Sequence, residues 1–187
     1  MVYNFTNNWF NTSELRHLMG HYLHSNNTNK ILEIGCYEGA SACFLSDIML
    51  NNSESELTCV DPFDVSDNNT LLTNNTKTVF YDNIKESKNY NKITVNEMYS
   101  NDFFLVNTKK YSFIYVDGSQ GLEDVRNDFL NALKFIENNG IIWMNNYLSG
   151  DENNHHIKEV IDSVYETNKD KLSIVHTGYQ IAFLYKE

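Results

Sequence analysis

The chain has 187 residues, 25 acidic side chains against 14 basic ones, a formal charge of −11 at pH 7, and 41% hydrophobic and 13% aromatic residues. That is the size of a single domain with enough apolar material for a core. Its acidity, with Lys and Arg scattered rather than clustered, excludes sequence-independent binding to nucleic acid or to an anionic membrane surface.

There is no run of about 18 apolar residues to span a membrane, and the stretch from Met1 to Gly20 lacks the charged-then-apolar layout of a signal peptide, so the expected location is cytoplasmic. Cys36, Cys43 and Cys59 are odd in number and show no C-x-x-C or Cys/His spacing suited to zinc, which reads as reduced, structural thiols. The N-x-[ST] triplets at Asn4, Asn11, Asn26, Asn51, Asn68 and Asn74 carry no meaning without a secretory signal, in a chain where 28 residues are Asn. That bias points to an AT-rich coding sequence.

Along the chain, Leu15, Leu18, Met19, Tyr22 and Leu23 recur at a helical period behind Thr12 and Ser13, predicting a leading helix between Trp9 and His24. Lys30 to Ile34 reads as a strand closed by Gly35, Ala40 to Leu50 as a helix, and Leu57 to Val60 as a strand stopped by Asp61-Pro62. A polar loop from Asp64 to Thr76 leads to a helix from Lys77 to Glu86 and a third strand from Lys92 to Val95. Tyr111 to Val116 is the strongest strand signal. It is followed by Asp117-Gly118-Ser119 and an amphipathic helix with Val125, Phe129, Leu133 and Ile136 on one face, ended by Asn138-Asn139-Gly140. Ile141 to Met144 predicts another buried strand, Ile157 to Tyr165 a last helix, and Ser173 to His176 and Ile181 to Tyr185 two closing strands.

Strands alternating with helices predict an α/β sheet, mostly parallel, with helices on both faces. Ligands of such sheets bind beyond the carboxyl ends of the strands, which directs attention to the turns after Ile34, Val60, Val95, Val116 and Met144. The first turn reads Glu33-Ile-Gly35-Cys36-Tyr37-Glu-Gly39-Ala-Ser41. Its glycines allow close backbone approach and leave helix N-terminal amides for an anionic group. Cys36 and Tyr37 stand where a dinucleotide fingerprint needs its second glycine, so a pyrophosphate fits poorly. An amino-acid carboxylate suits the turn better, with Asp61 placed to accept both ribose hydroxyls. The plainer alternative is a left-handed turn beside a strand-capping aspartate.

These segments carry a family resemblance. ILEIGCYEGASA, TCVDPFD, FYDNI, FIYVDGSQGLEDVRNDFLNAL, NNGIIWMNNYL and GYQIAFLYK run in order from Lys30 to Lys186. The chain resembles the class I S-adenosylmethionine-dependent methyltransferases, and within them the small O-methyltransferase-like family called Methyltransferase 24. The resemblance implies a Rossmann-like seven-stranded sheet with an antiparallel last strand. It implies one methyltransferase domain over residues 1–187, with residues 1–29 a helical extension and 30–187 the core. The implied activity is transfer of a methyl group to an oxygen of a small molecule or glycan.

By the same resemblance, S-adenosylmethionine is held by Glu33, Gly35, Cys36, Tyr37, Gly39 and Ser41 around the loop, by Asp61 and Phe63 at ribose and adenine, by Met98, and by Asp117 with Gly118 beside the methyl group. Two departures bear on activity. Gln120 replaces the family's histidine after D-G-S and cannot act as a base. Asn145-Asn146 stands where the family often has Asp-Asp or, in its metal-dependent relatives, Asp-Asn, so a Mg²⁺ site built from Asp117, Asn145 and Asn146 would carry one negative charge, and Mg²⁺ is not expected. These departures also leave open a protein that binds the cofactor without transferring methyl and serves a regulatory or scaffolding role. A nicotinamide oxidoreductase survives only through shared architecture.

The pair His155-His156 reads either as a solvated helix start or, at His155, as a proton acceptor on the substrate side of the site. Trp143, Tyr147 and Tyr179 read either as core or as walls of an acceptor pocket. The sequence names no acceptor and does not fix the oligomeric state, with which a homodimer is compatible.

Overall fold

The computed structural model describes residues 2–7, 9–10, 15–16, 21–22, 27–64, 73, 75–149 and 156–187. In chain order the elements are β1 (Lys30–Ile34), α1 (Ala40–Met49), β2 (Glu56–Val60), α2 (Thr76–Glu86), β3 (Ile93–Asn96), α3 (Ser100–Val106), β4 (Tyr111–Val116), α4 (Leu122–Phe135), β5 (Ile136–Met144), α5 (His156–Glu166), β6 (Leu172–Thr177) and β7 (Ile181–Tyr185). The strands form one seven-stranded sheet in the order β3-β2-β1-β4-β5-β7-β6. Strand β7 is antiparallel to both of its neighbours. This is the Rossmann-like α/β architecture expected. The chain packs as two compact units, Met1–Tyr99 and Ser100–Glu187.

In the first unit β1 and β2 are buried along nearly their whole length, as strands of a parallel sheet covered on both faces must be. They pair in register from Lys30 with Glu56 to Ile34 with Val60, and β3 adds to β2 from Ile93 opposite Leu57. Helix α1 begins at a left-handed Gly39 with no side-chain cap and buries Ala42, Cys43, Leu45 and Met49. The first residues of the chain lie along this unit. The Tyr3 hydroxyl donates to Asp47 at 2.8 Å, Asn4 and Asn83 exchange two hydrogen bonds, and Thr6 donates from its N–H and its hydroxyl to Glu38 at 2.7 and 2.6 Å.

In the second unit β4 pairs with β5 in parallel, from Phe113 opposite Ile141 to Val116 opposite Met144. Helix α5 buries Ile157, Val160, Ile161 and Val164, one stripe at helical spacing. Phe183 of β7 stacks on Phe129 at 5.0 Å and on Tyr165 at 5.5 Å. Burying an aromatic ring of this size is worth about 1.5–3 kcal/mol.

The structure departs from the sequence reading in three places. Helix α4 ends at Phe135, and Ile136 opens β5 instead of closing the helix, so Asn138-Asn139-Gly140 lies within a strand segment whose register shifts between Tyr111 and Phe113. Ile136 is apolar, which suits either element, and backbone pairing decides. Helix α3 was not anticipated, because seven residues span too few turns to show a period. Trp9 and Phe10 are not helical, whereas Leu15, Arg16, His21 and Tyr22 are; Leu18, Met19 and Leu23 lie outside the described residues.

Candidate active site

In the first unit the chain leaves β1 through three left-handed residues, Gly35 at φ 81°, Tyr37 at φ 48° and Gly39 at φ 85°. Glycine adopts this region freely, but tyrosine does not and has to be held there. Asp61, at the end of β2 and 6% exposed, does the holding. One carboxylate oxygen accepts the N–H groups of Cys36 at 2.7 Å and Tyr37 at 3.0 Å, and the other accepts that of Phe63 at 2.7 Å. Phe63 is itself left-handed at φ 48°, and its ring rests on Phe80 at 5.0 Å. Burial raises the Asp61 carboxyl against the lowering effect of these three donors.

A carboxylate offers about four acceptor positions. Three are filled by backbone, so Asp61 has room for about one more donor, one fewer than the two ribose hydroxyls expected of it, and serves first as the clamp of the glycine loop. Gly39 is confined as well, since a Cβ there would stand 3.0 Å from the Phe80 ring.

Glu33 is fully buried and accepts the Ser41 hydroxyl and, at 3.6 Å, the Cys59 thiol. Ligand atoms of Glu33, Cys36 and Cys59 lie within 4.8 Å of one another, a cluster that spacing along the chain did not reveal. Burial pushes the Cys36 thiol well above its usual value. With Glu33 accepting from Ser41 and Cys59, the cluster is joined by hydrogen bonds beneath the loop. Met98 is half-buried in the turn after β3, its N–H on the Asn96 carbonyl at 3.0 Å. Beside it Glu97 accepts from Lys77 at 2.5 Å and from Tyr81 at 2.8 Å.

In the second unit Asp117 and Gly118 follow β4, both half-buried. Asn145 donates to one Asp117 oxygen at 2.6 Å, and the Tyr115 hydroxyl approaches the other at 3.4 Å. Gln180 donates to the Asn145 oxygen at 2.7 Å and to the Tyr115 hydroxyl at 3.2 Å, and accepts the Trp143 indole N–H at 2.8 Å. Burial pushes the Asp117 carboxyl up to about 6, although Asn145 and Tyr115 both act to lower it. The trio considered for a metal therefore does not present three oxygens: Asn145 turns its amino group to Asp117, and the Asn146 oxygen accepts from the Tyr179 hydroxyl at 2.8 Å.

Gln120 is exposed. Trp143 and Tyr147 are core residues, while Tyr179 is 53% exposed. His155 lies outside the described residues, and His156 begins α5 with its ring 3.7 Å from Glu159. Gln180 and Tyr115 were not singled out from sequence as site residues. The signal available was a buried amide beside the apolar strand Ile181–Tyr185.

Residues 32–147 match the sequence model of the Methyltransferase 24 family, described as a methyltransferase domain. No curated protein sequence matches the chain. Among solved structures, an O-methyltransferase from Bacillus cereus in complex with SAH superposes with a TM-score of 0.66 at 16% identity, covering 91% of this chain and 79% of that one. The O-methyltransferase TomG from Streptomyces achromogenes, involved in tomaymycin synthesis and in complex with SAM, gives 0.67 at 15% identity, covering 93% and 79%. A putative rRNA methylase from Clostridium thermocellum gives 0.73 at 10% identity, covering 95% and 98%. At these identities the likeness is one of fold.

Proposed function

Since the chain belongs to the Methyltransferase 24 family of methyltransferase domains, we propose that it transfers a methyl group from S-adenosylmethionine to an oxygen of a small molecule or glycan. The observation that carries the reading is the Asp61 clamp, in which three N–H groups on one buried carboxylate hold a loop with two left-handed glycines at the uncapped start of α1. A helix start with no acidic residue in its first turn suits the cofactor's carboxylate, and the remaining acceptor position of Asp61 suits one ribose hydroxyl.

When bound, S-adenosylmethionine supplies a sulfonium methyl group open to in-line displacement. Glu33 and Ser41 brace the loop from below, and Phe63 offers an aromatic wall for the adenine. Asp117 orients the acceptor hydroxyl or takes its proton. A carboxyl near 6 is largely ionised at pH 7 and is a better base than an ordinary aspartate. The amide that Asn145 presents to Asp117 supports transfer without a metal ion.

O-methyltransferases are among the fold neighbours, and so is a putative rRNA methylase. The net charge of −11 favours a small acceptor over RNA. A protein that binds cofactor without transfer gains no support, because Asn145, one of the two residues that suggested it, is engaged with the carboxylate expected to do the chemistry.

Calorimetry with S-adenosylhomocysteine tests the cofactor site. The chain should bind it, and Asp61→Asn, which puts an amino group where N–H donors now point, should weaken binding at least roughly tenfold. Unchanged affinity would remove Asp61 from the site. Incubation with methyl-labelled S-adenosylmethionine and phenol, glycan and metabolite pools should label an oxygen acceptor.

A further inference from the structure

We propose that Gln180 is a positioning residue, which fixes both oxygens of Asp117 through Asn145 and Tyr115 in a hydrogen-bond fork whose direction is set by the Trp143 indole. Its part in methyl transfer rests on the reading of Asp117 given above, while the fork itself stands on geometry.

The direction follows from donor and acceptor chemistry. An indole N–H can only donate, so the Gln180 atom 2.8 Å from it is the amide oxygen. The Gln180 amino group then faces away from Trp143 with two hydrogens to place. One goes to Asn145 at 2.7 Å, which must meet it with its oxygen, and the other to the Tyr115 hydroxyl at 3.2 Å. Asn145 is left with its amino group toward Asp117 at 2.6 Å, and the Tyr115 hydroxyl, accepting from Gln180, donates toward the second Asp117 oxygen at 3.4 Å.

Trp143, Tyr115 and Gln180 are all buried, so water does not compete for these positions. A donor-only group stands at one end and, when Asp117 is ionised, an acceptor-only group at the other. Protonating Asp117 at the oxygen facing Asn145 sets donor against donor, so the fork favours the charged form and opposes the effect of burial. The β5–β7 register, Met144 opposite Ile181, brings Asn145 and Gln180 together.

Among the described residues the titratable groups facing this system are Tyr115 from β4, Tyr179 from the turn before β7, and His176 of β6, whose ring stacks on Trp143 at 5.3 Å. The protonation state of Asp117 should therefore be felt at Trp143. Trp9 and Trp143 are the two tryptophans of the chain, so a ¹⁵N-labelled sample gives two indole N–H resonances.

The test is an NMR titration of the full chain, recording the indole resonances and the ¹³C carboxyl signal of Asp117. It is repeated in His176→Phe, which keeps an aromatic ring against Trp143 and removes the imidazole. In both, the Trp143 resonance should move with the midpoint of Asp117. Gln180→Met should abolish that response and raise the Asp117 midpoint by about half a pH unit or more, a roughly threefold change in proton affinity. Gln180→Glu keeps the acceptor for Trp143 but supplies no donors, and should raise the midpoint at least as far. A Trp143 resonance that stays flat through the Asp117 transition would overturn the proposal without any change at position 180, and so would an unmoved midpoint in the folded Gln180 variants. No methyl transfer is read, so an inactive enzyme and an inert fork give different results.

Discussion

At Asp117 and Asn145 two side chains that a metal site would fill with carboxylates are joined by one hydrogen bond of 2.6 Å, and that contact makes a testable claim about cations. In the wild type Mg²⁺ at millimolar concentration should move the melting temperature little, and EDTA not at all. Asn145→Asp would set two carboxylates against each other, destabilising the chain near neutral pH and creating a pair of hard oxygen ligands. Its melting temperature should fall and then recover with Mg²⁺, as differential scanning fluorimetry would show; a wild type that already gains several degrees from Mg²⁺ would refute this.

Asp117→Asn should lower methyl transfer by about 10² or more while leaving S-adenosylhomocysteine affinity within a few-fold, separating turnover from binding. At this scale the placement of residues at the strand ends was legible: Glu33 near the end of β1, Gly35 just after it, Asp61 after β2 and Asp117 after β4. The meeting of Gln180 with Tyr115 was not, because it comes about only through strand pairing across the sheet. Asp61 was legible as the acid that follows a strand but not as the clamp of the glycine loop, since its partners are backbone N–H groups that a string of side-chain names does not show.

Among the elements, β1, β4 and β7 have the limits read from sequence, each a compact β-branched or aromatic run with polar or glycine neighbours. The α4–β5 junction was not legible, because a helix runs into a strand without a turn and the glycine expected to end the helix sits four residues inside the strand. That glycine has a packing reason. A Cβ at Gly140 would lie 2.8 Å from the Ile136 side chain and 2.9 Å from the Glu137 carbonyl. The carbonyl belongs to the backbone and cannot swing aside, so Gly140→Ala should cost about 1–3 kcal/mol. Urea unfolding should show a lower midpoint with an unchanged slope, and a variant as stable as wild type would mean that the segment relaxes freely.

For the whole molecule, charge and burial push stability the same way with pH. The excess of acidic side chains makes self-repulsion grow as pH rises. Burial acts more strongly at single sites. Asp128 on α4 is 1% exposed, one of its oxygens has no hydrogen-bond partner among the described residues, and burial, with a smaller push from the Asp124 charge, raises its carboxyl from 3.8 to about 6. Asp117 is raised to about 6 as well. A carboxyl whose folded value lies above its unfolded one binds a proton more tightly in the folded state. The stability this contributes is complete below about pH 4 and is lost as pH rises through about 6. A tenfold difference in proton affinity between the folded and unfolded chain corresponds to about 1.4 kcal/mol, so Asp128 alone accounts for up to about 3 kcal/mol between those limits, against at most about 1 kcal/mol for an exposed pair such as Lys77 with Glu97. Asp128→Asn keeps the shape and removes the charge. It should raise the melting temperature at pH 7.5 by several degrees and leave it unchanged near pH 4, flattening the curve between. Salt at about 0.5 M should screen the surface contribution in both proteins and leave that difference in place, because a buried charge is screened little. Calorimetry at several pH values in both proteins decides the matter, and parallel curves would show that the Asp128 carboxylate finds a partner or water on ionising.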